Sequence, residues 1–244
     1  SSEEYVQLIP YNGDYDPFKP DGVDAVEVNL SHPDLIATAT IQYSTDGGNT
    51  WSTTVPKIKN AESMSVTVKV TSPNFTKYET TVQATVKPYD ISNCSIELEQ
   101  DTYYYTGKEA KPAVTGLIDG LERRLPINAA DIAVSYENNI AVGAATVSVS
   151  VNSSNYTGTA TTVFHIEYYN GDITILYNGS EDHETWFAED VVITAEGYSV
   201  KFAEDDTFAD SVIVSGEGEI EVELIFKQDG TGYITDAWSG YVRM

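Results

Sequence analysis

Histidine, carboxylate, cysteine and tyrosine are the side chains through which this sequence could do chemistry, and their spacing limits what that chemistry is. The three histidines, His32, His165 and His183, lie far apart, and none neighbours a serine in the strand–turn–helix context of a nucleophile elbow. His165 stands between Phe164 and Ile166, so period-two alternation turns it away from the core face and into solvent. Carboxylates are plentiful, but glycoside hydrolysis needs two of them aimed at one cleft, with one held protonated by burial. Glu219, Glu221 and Glu223 instead alternate along one strand face, which reads as a solvated, edge-protecting surface. Glu204-Asp205-Asp206 with Asp210 could supply hard oxygen ligands to calcium, yet the spacing fits no calcium loop, and surface charge that resists aggregation is the expectation. Cys94 shares a face with Ile96 and Leu98 and reads as a small buried apolar residue. These residues predict no catalytic, no cofactor-binding and no metal site, and hence a protein that is not an enzyme.

Tyrosine is the remaining chemical hint. Seventeen are present, including Tyr103-Tyr104-Tyr105 and Tyr168-Tyr169. An exposed tyrosine offers a sugar ring a flat apolar platform with a polar rim, so a glycan-binding role is physically open. Alternation buries at least one ring of each group, however, and a framework role is the expectation.

The elements that must position these residues are strands. Met64, Val66, Val68 and Val70 alternate with polar residues, as do Val26, Val28 and Leu30, then Val82, Ala84 and Val86, then Val147, Val149 and Val151, and finally Ile220, Val222, Leu224 and Phe226. This is the pattern of half-buried antiparallel strands, and no amphipathic helix stands out. Asn12-Gly13, Asp46-Gly47-Gly48-Asn49, Asp119-Gly120, Asn170-Gly171, Asn178-Gly179 and Asp229-Gly230 punctuate the strands and suit turns with positive φ. Short strands between frequent turns predict β-sandwiches.

Composition narrows the partners. A formal charge of −25 repels nucleic-acid phosphate and anionic lipid, and 41% apolar residues in alternating runs are too well patterned for a disordered acidic tail. One cysteine allows no intrachain disulfide, no apolar run is long enough to span a membrane, and the polar start reads as a mature or excised piece. Nucleic acid and membrane insertion are therefore not expected. A monomer is.

The residues between Tyr103-Tyr104-Tyr105-Thr106-Gly107-Lys108 and Asn155-Tyr156-Thr157-Gly158-Thr159 resemble a bacterial immunoglobulin-like repeat, with Pro112-Ala113-Val114, Ile132-Ala133-Val134-Ser135-Tyr136-Glu137-Asn138-Asn139 and Phe164-His165-Ile166 as intermediate marks. Tyr43-Ser44-Thr45-Asp46-Gly47 is similar to a hairpin of a related repeat, and Trp186-Phe187 with Gly230-Thr231-Gly232-Tyr233 to a more divergent one. Internal similarity of Thr71-Ser72-Pro73-Asn74-Phe75-Thr76 to Asn152-Ser153-Ser154-Asn155-Tyr156-Thr157 supports the division. Three tandem immunoglobulin-like β-sandwich modules in an elongated arrangement are expected, at 1–88, 89–168 and 169–244. The resemblance implies an extracellular or cell-surface location in bacteria and a spacer or adhesion role, with a host or environmental glycan or protein as partner. A carbohydrate-binding accessory region of a secreted carbohydrate-active enzyme is the alternative.

Ser44 to Trp51 also satisfies the S-x-D-x-G-x-T-W pattern of the Asp-box of sialidases and other β-propellers. A propeller repeats the box in several blades, and here it occurs once. With Arg123, Arg124 and Arg243 the only arginines, there is no cluster to grip a substrate carboxylate. The box is expected to be a hairpin brace, its aspartate capping turn amides and its tryptophan packing beneath.

Overall fold

The computed structural model describes residues 2–244. The protein is almost entirely β, with sandwich-like sheets. It divides into two compact units, one holding Ser1–Glu97, Thr115–Val134 and Ser148–Thr161, the other Leu98–Val114, Ser135–Val147 and Thr162–Met244. The middle third of the chain thus contributes strands to both.

In the first unit, strand Ser63–Ser72 pairs with Phe75–Lys87 on one side and Thr40–Ser44 on the other, both antiparallel, and Asn12–Asp14 adds to Phe75–Lys87 in parallel. Val66, Val68 and Val70 fall on the buried face, and their polar neighbours pair across the exposed face, as in the hydroxyl contact of Thr67 with Thr81 at 2.8 Å. Val6–Pro10 pairs with Val26–Leu30 and delivers Val26 to the same core. Each fully buried valine contributes about 1.5–3 kcal/mol, and here the alternation read from the sequence is what places them.

Local expectations are corrected at one helix and three turns. A helix exists, Pro33–Thr38, but at six residues it is too short to leave a periodic signature. His32 starts it: its Nδ1 accepts the Asp34 amide at 3.2 Å, Pro33 fits the first turn, and Leu35 is buried. Asn12-Gly13 is not a positive-φ turn, because Asn12–Asp14 is extended and bonded alongside Thr85–Lys87. Positive φ at Asp119-Gly120 falls instead on Glu122, at 60°, because the Asp119 carboxylate gathers the amides of Leu121 and Arg123. Asn170-Gly171 likewise lacks positive φ, whereas Gly47, Gly48, Asn178, Gly179 and Gly230 have it as expected.

In the second unit, five strands follow the order Ile175–Tyr177, Val191–Ala195, Tyr198–Phe202, Glu219–Gln228, Trp238–Arg243, and Val212–Val214 pairs with Val191–Ala195. Ile193, Val200, Leu224, Phe226 and Val242 form its centre. Glu219, Glu221 and Glu223 are exposed while Val222 and Leu224 are buried, as the alternation requires. Arg243 bonds Glu219 at 2.8 Å and Glu184 at 2.6 Å, which ties the segment before Phe187 to the last strand.

Candidate functional site

The hairpin from Tyr43 to Ser52 closes on paired backbone hydrogen bonds between those two residues. Inside it, the Asp46 carboxylate accepts from the Thr50 hydroxyl at 2.6 Å, the Thr50 amide at 2.9 Å and the Ser44 hydroxyl at 2.7 Å. Those bonds, the Thr50 hydroxyl foremost, hold the carboxyl well below the ordinary aspartate range. Trp51 donates its indole N–H to the Gly48 carbonyl at 3.0 Å, and the Lys69 ammonium lies 3.8 Å from the indole centroid. Each member of the Ser44–Trp51 pattern is spent on the turn, so the box is a brace.

The same economy governs the other displaced carboxylates. Asp90 is lowered by the hydroxyl and amide of Ser92, and Asp182 by the Thr185 hydroxyl and the Glu184 amide. Burial pulls Asp119 upward, but the amides of Arg123 and Leu121 and the Arg123 guanidinium hold it down. Glu204, Asp205, Asp206 and Asp210 are exposed, and among the described residues no group of three or more histidines, cysteines or carboxylates is placed to hold a metal ion. Cys94 is buried and free, its thiol pushed up by burial. His165 is exposed, and His183 lies against Tyr177 with ring centroids 5.7 Å apart.

Two seams carry the densest chemistry. In the first unit, Tyr156–Thr157 pairs in parallel with Tyr89–Asp90, and the Tyr89 and Ile91 amides bond to the Asn155 and Thr157 carbonyls. The Asn155 side chain reaches further. Its Oδ1 accepts the Ala61 amide at 2.8 Å and its Nδ2 donates to Asn60 Oδ1 at 3.1 Å. The Tyr156 ring stands edge-on to Tyr15 at 5.6 Å and to Tyr89 at 6.2 Å, and burial among them pushes its phenol up to about 12. Arg123 completes the seam by placing its guanidinium 4.1 Å from the Phe18 centroid. Sequence reasoning marked Asn155-Tyr156 as part of a repeat and missed its partners, which lie about 95 residues away.

In the second unit, the Tyr105 amide bonds the Glu167 carbonyl, the Ile234 amide bonds Tyr105, and the Tyr169 amide bonds Ile234. Tyr104, Tyr169 and Tyr233 pack as a triad with centroids 5.1–5.6 Å apart, and Tyr105 stands perpendicular to Tyr168 at 5.8 Å. Tyr103 packs on buried Phe164. The tyrosines are therefore chiefly framework, though Tyr104 and Tyr168 keep 39% and 40% exposure. Beside the triad, Gln228 donates to the Tyr169 hydroxyl at 3.2 Å and lines an open polar hollow of about 500 Å³ with Thr106, Lys108, Ser199, Lys227 and Asp229.

No helix among the described residues is long and apolar enough to cross a membrane. No family model matches the chain, and no curated protein does. Solved structures align along it at low similarity. A Bacteroides ovatus mixed-linkage glucan utilization locus protein, SGBP-B, in complex with a mixed-linkage heptasaccharide, aligns over 97% of this chain and 66% of its own at 10% identity and a TM-score of 0.23. The human Desmocollin-1 ectodomain aligns over 98% and 58% at 11% identity and 0.21, and Protocadherin Gamma C5 EC1-3 over 97% and 98% at 11% and 0.22. The chain spans less than two thirds of the first two, and the likeness is too distant to define a family.

Proposed function

We propose that the chain is a non-catalytic spacer and adhesion region of a larger bacterial surface or secreted protein, built from immunoglobulin-like sandwiches and working as a monomer outside the cell. The observation that carries this reading is the pair of seams. On a three-module reading the junctions near residues 88 and 168 fall at these seams, and each seam is held within its own unit by backbone hydrogen bonds, interlocked tyrosine rings and, at Asn155, a side-chain amide. Short stitched junctions transmit position and load, which is what a spacer is for. The displaced carboxylates support the non-catalytic half, since all four are lowered by turn hydrogen bonds, whereas a general acid must be raised.

Amide hydrogen exchange tests the reading. The amides of Tyr89, Ile91, Tyr105, Tyr169 and Ile234 are expected to exchange nearly as slowly as that of core Val68. Exchange at loop rates would mean freely bending junctions and would remove the basis for a spacer. Turnover of any glycoside, ester or peptide substrate by the purified chain, abolished by one carboxylate substitution, would overturn the non-catalytic half. The carbohydrate-binding alternative draws on the exposed rings of Tyr104 and Tyr168.

A further inference from the structure

Charge placement separates two open concavities, one in each unit of this protein. The larger, about 1060 Å³ in the first unit, contains Lys19 and Lys57, and both are neutralised: Lys57 pairs with Asp24 at 2.9 Å and Lys19 with Asp16 at 3.5 Å. The hollow in the second unit differs. Among the described residues neither of its lysines, Lys108 and Lys227, has a carboxylate within ion-pair distance; Lys227 rests only against the Phe208 ring, 4.8 Å from its centroid. Its one carboxylate, Asp229, accepts the Ser199 hydroxyl at 3.1 Å. Two ammonium groups against one carboxylate leave this hollow locally positive on a chain whose net charge is −25. A concavity of positive sign on an acidic chain focuses anions.

The rest of the lining narrows the anion. Thr106, Ser199 and Thr231 carry hydroxyls and Gln228 an amide; Gln228 is held in place by the Thr231 hydroxyl, which donates to its Oε1 at 2.7 Å, and by its own bond to Tyr169. Gly230 and Gly232, at φ of 82° and 74°, bring bare backbone to the rim. A simple inorganic anion would use the lysines and meet only repulsion from Asp229. A sugar bearing a carboxylate or sulfate would use all of them: the oxyanion against Lys108 and Lys227, ring hydroxyls donating to Asp229 and exchanging hydrogen bonds with Gln228 and Ser199. We infer that this hollow binds acidic sugars, carboxylated or sulfated. The inference rests on the adhesion half of the reading above and is independent of its stiff seams.

The test is titration of the whole chain at 0.15 M salt, where the Debye length of about 8 Å screens the distant acidic surface. The probes are 3′-sialyllactose, a 6-sulfated galactoside, neutral lactose and inorganic sulfate, followed by calorimetry and by the amide shifts of Gly230 and Gly232. Both acidic sugars, or one of them, are expected to bind saturably and at least about tenfold tighter than lactose and inorganic sulfate, a difference of about 1.4 kcal/mol. Lys108→Gln and Lys227→Gln should each weaken binding about tenfold. Lys59→Gln, at an unpaired surface lysine of the first unit, should leave it unchanged. Absence of saturable binding by either acidic sugar, equal binding of lactose or sulfate, or insensitivity to both hollow lysines would overturn the inference. Seam amides that stay protected in that case would leave the spacer reading standing.

Discussion

Replacing Asn155 with alanine removes the side-chain amide that bonds both Ala61 and Asn60 across the seam of the first unit. Two hydrogen bonds go: the Ala61 amide at 2.8 Å, which is partly buried, and Asn60 Oδ1 at 3.1 Å, which is exposed. The backbone carbonyl of residue 155 still accepts the Tyr89 amide, so the parallel pairing of Tyr156 with Tyr89 survives. An exposed side-chain bond is worth about 0.5 kcal/mol or less, and a donor left unsatisfied in a partly buried place costs about 1–2 kcal/mol, so the sum is about 1–2.5 kcal/mol. Most of that cost is local. Under conditions where exchange follows the opening equilibrium, the Ala61 amide of Asn155→Ala should exchange about 5–50-fold faster than in the parent, with smaller acceleration at Tyr89 and none at Val68. Asn60→Ala should reproduce only the exposed portion, and the double variant should fall short of additivity because both remove one shared bond. Unchanged exchange at Ala61 would refute the reasoning, since it would mean that water replaces Asn155 at no cost. Uniform acceleration across the first unit would refute it differently, by showing global destabilisation in place of a loosened seam.

Other outcomes follow from the same geometry. Tyr156 has a phenol raised to about 12 against an unfolded value near 10. Its protonated form is favoured by folding, so that stabilisation is complete below about pH 10 and is lost as pH rises toward 12; urea titrations across that window should show the loss, and Tyr156→Phe should flatten it. Phe164→Ala, at a fully buried ring that supports Tyr103, should cost about 3–5 kcal/mol in chemical denaturation. Gly158→Ala should destabilise by more than about 1 kcal/mol, because φ is 82° there and an added Cβ would run into Asp90 and Ser92. Cys94 should resist thiol reagents in the native protein and react stoichiometrically once denaturant exposes it.

What could be read in the sequence was whatever is encoded at short range. Valine alternation at Val66–Val70 and Val147–Val151 places the strands because each side chain's face is fixed by parity alone, and the Ser44–Trp51 pattern yields its brace because all of its bonds lie within a few residues. Signals that depend on distant partners were silent. The sequence around Asn12-Gly13 reads as a turn until Thr85–Lys87 arrives to hold it extended, and Asn155 reads as a turn residue because nothing local announces Asn60 and Ala61. The helix at Pro33–Thr38 failed for a third reason: its cap is a histidine, wedged between Tyr5 at 4.9 Å and Phe75 at 5.1 Å, and histidine is not among the residues ordinarily sought in that role. The glutamate face of Glu219–Glu223 was legible, whereas the hollow was not, since Lys108 and Lys227 line it together from places far apart in the sequence.

The seam at Asn155 has a consequence for anyone who would transplant pieces of this chain. A fragment cut near residue 88 keeps Ala61, Tyr15 and Phe18 but leaves behind the amide, the phenol ring and the guanidinium that cover them. Such a fragment would carry an exposed aromatic patch and an uncapped amide, and its solubility would suffer before its fold did. Grafts that include Arg123 and Asn155-Tyr156 on a suitable partner should behave as the parent does, so the unit of exchange is defined by what crosses the seam and not by where the strands happen to stop.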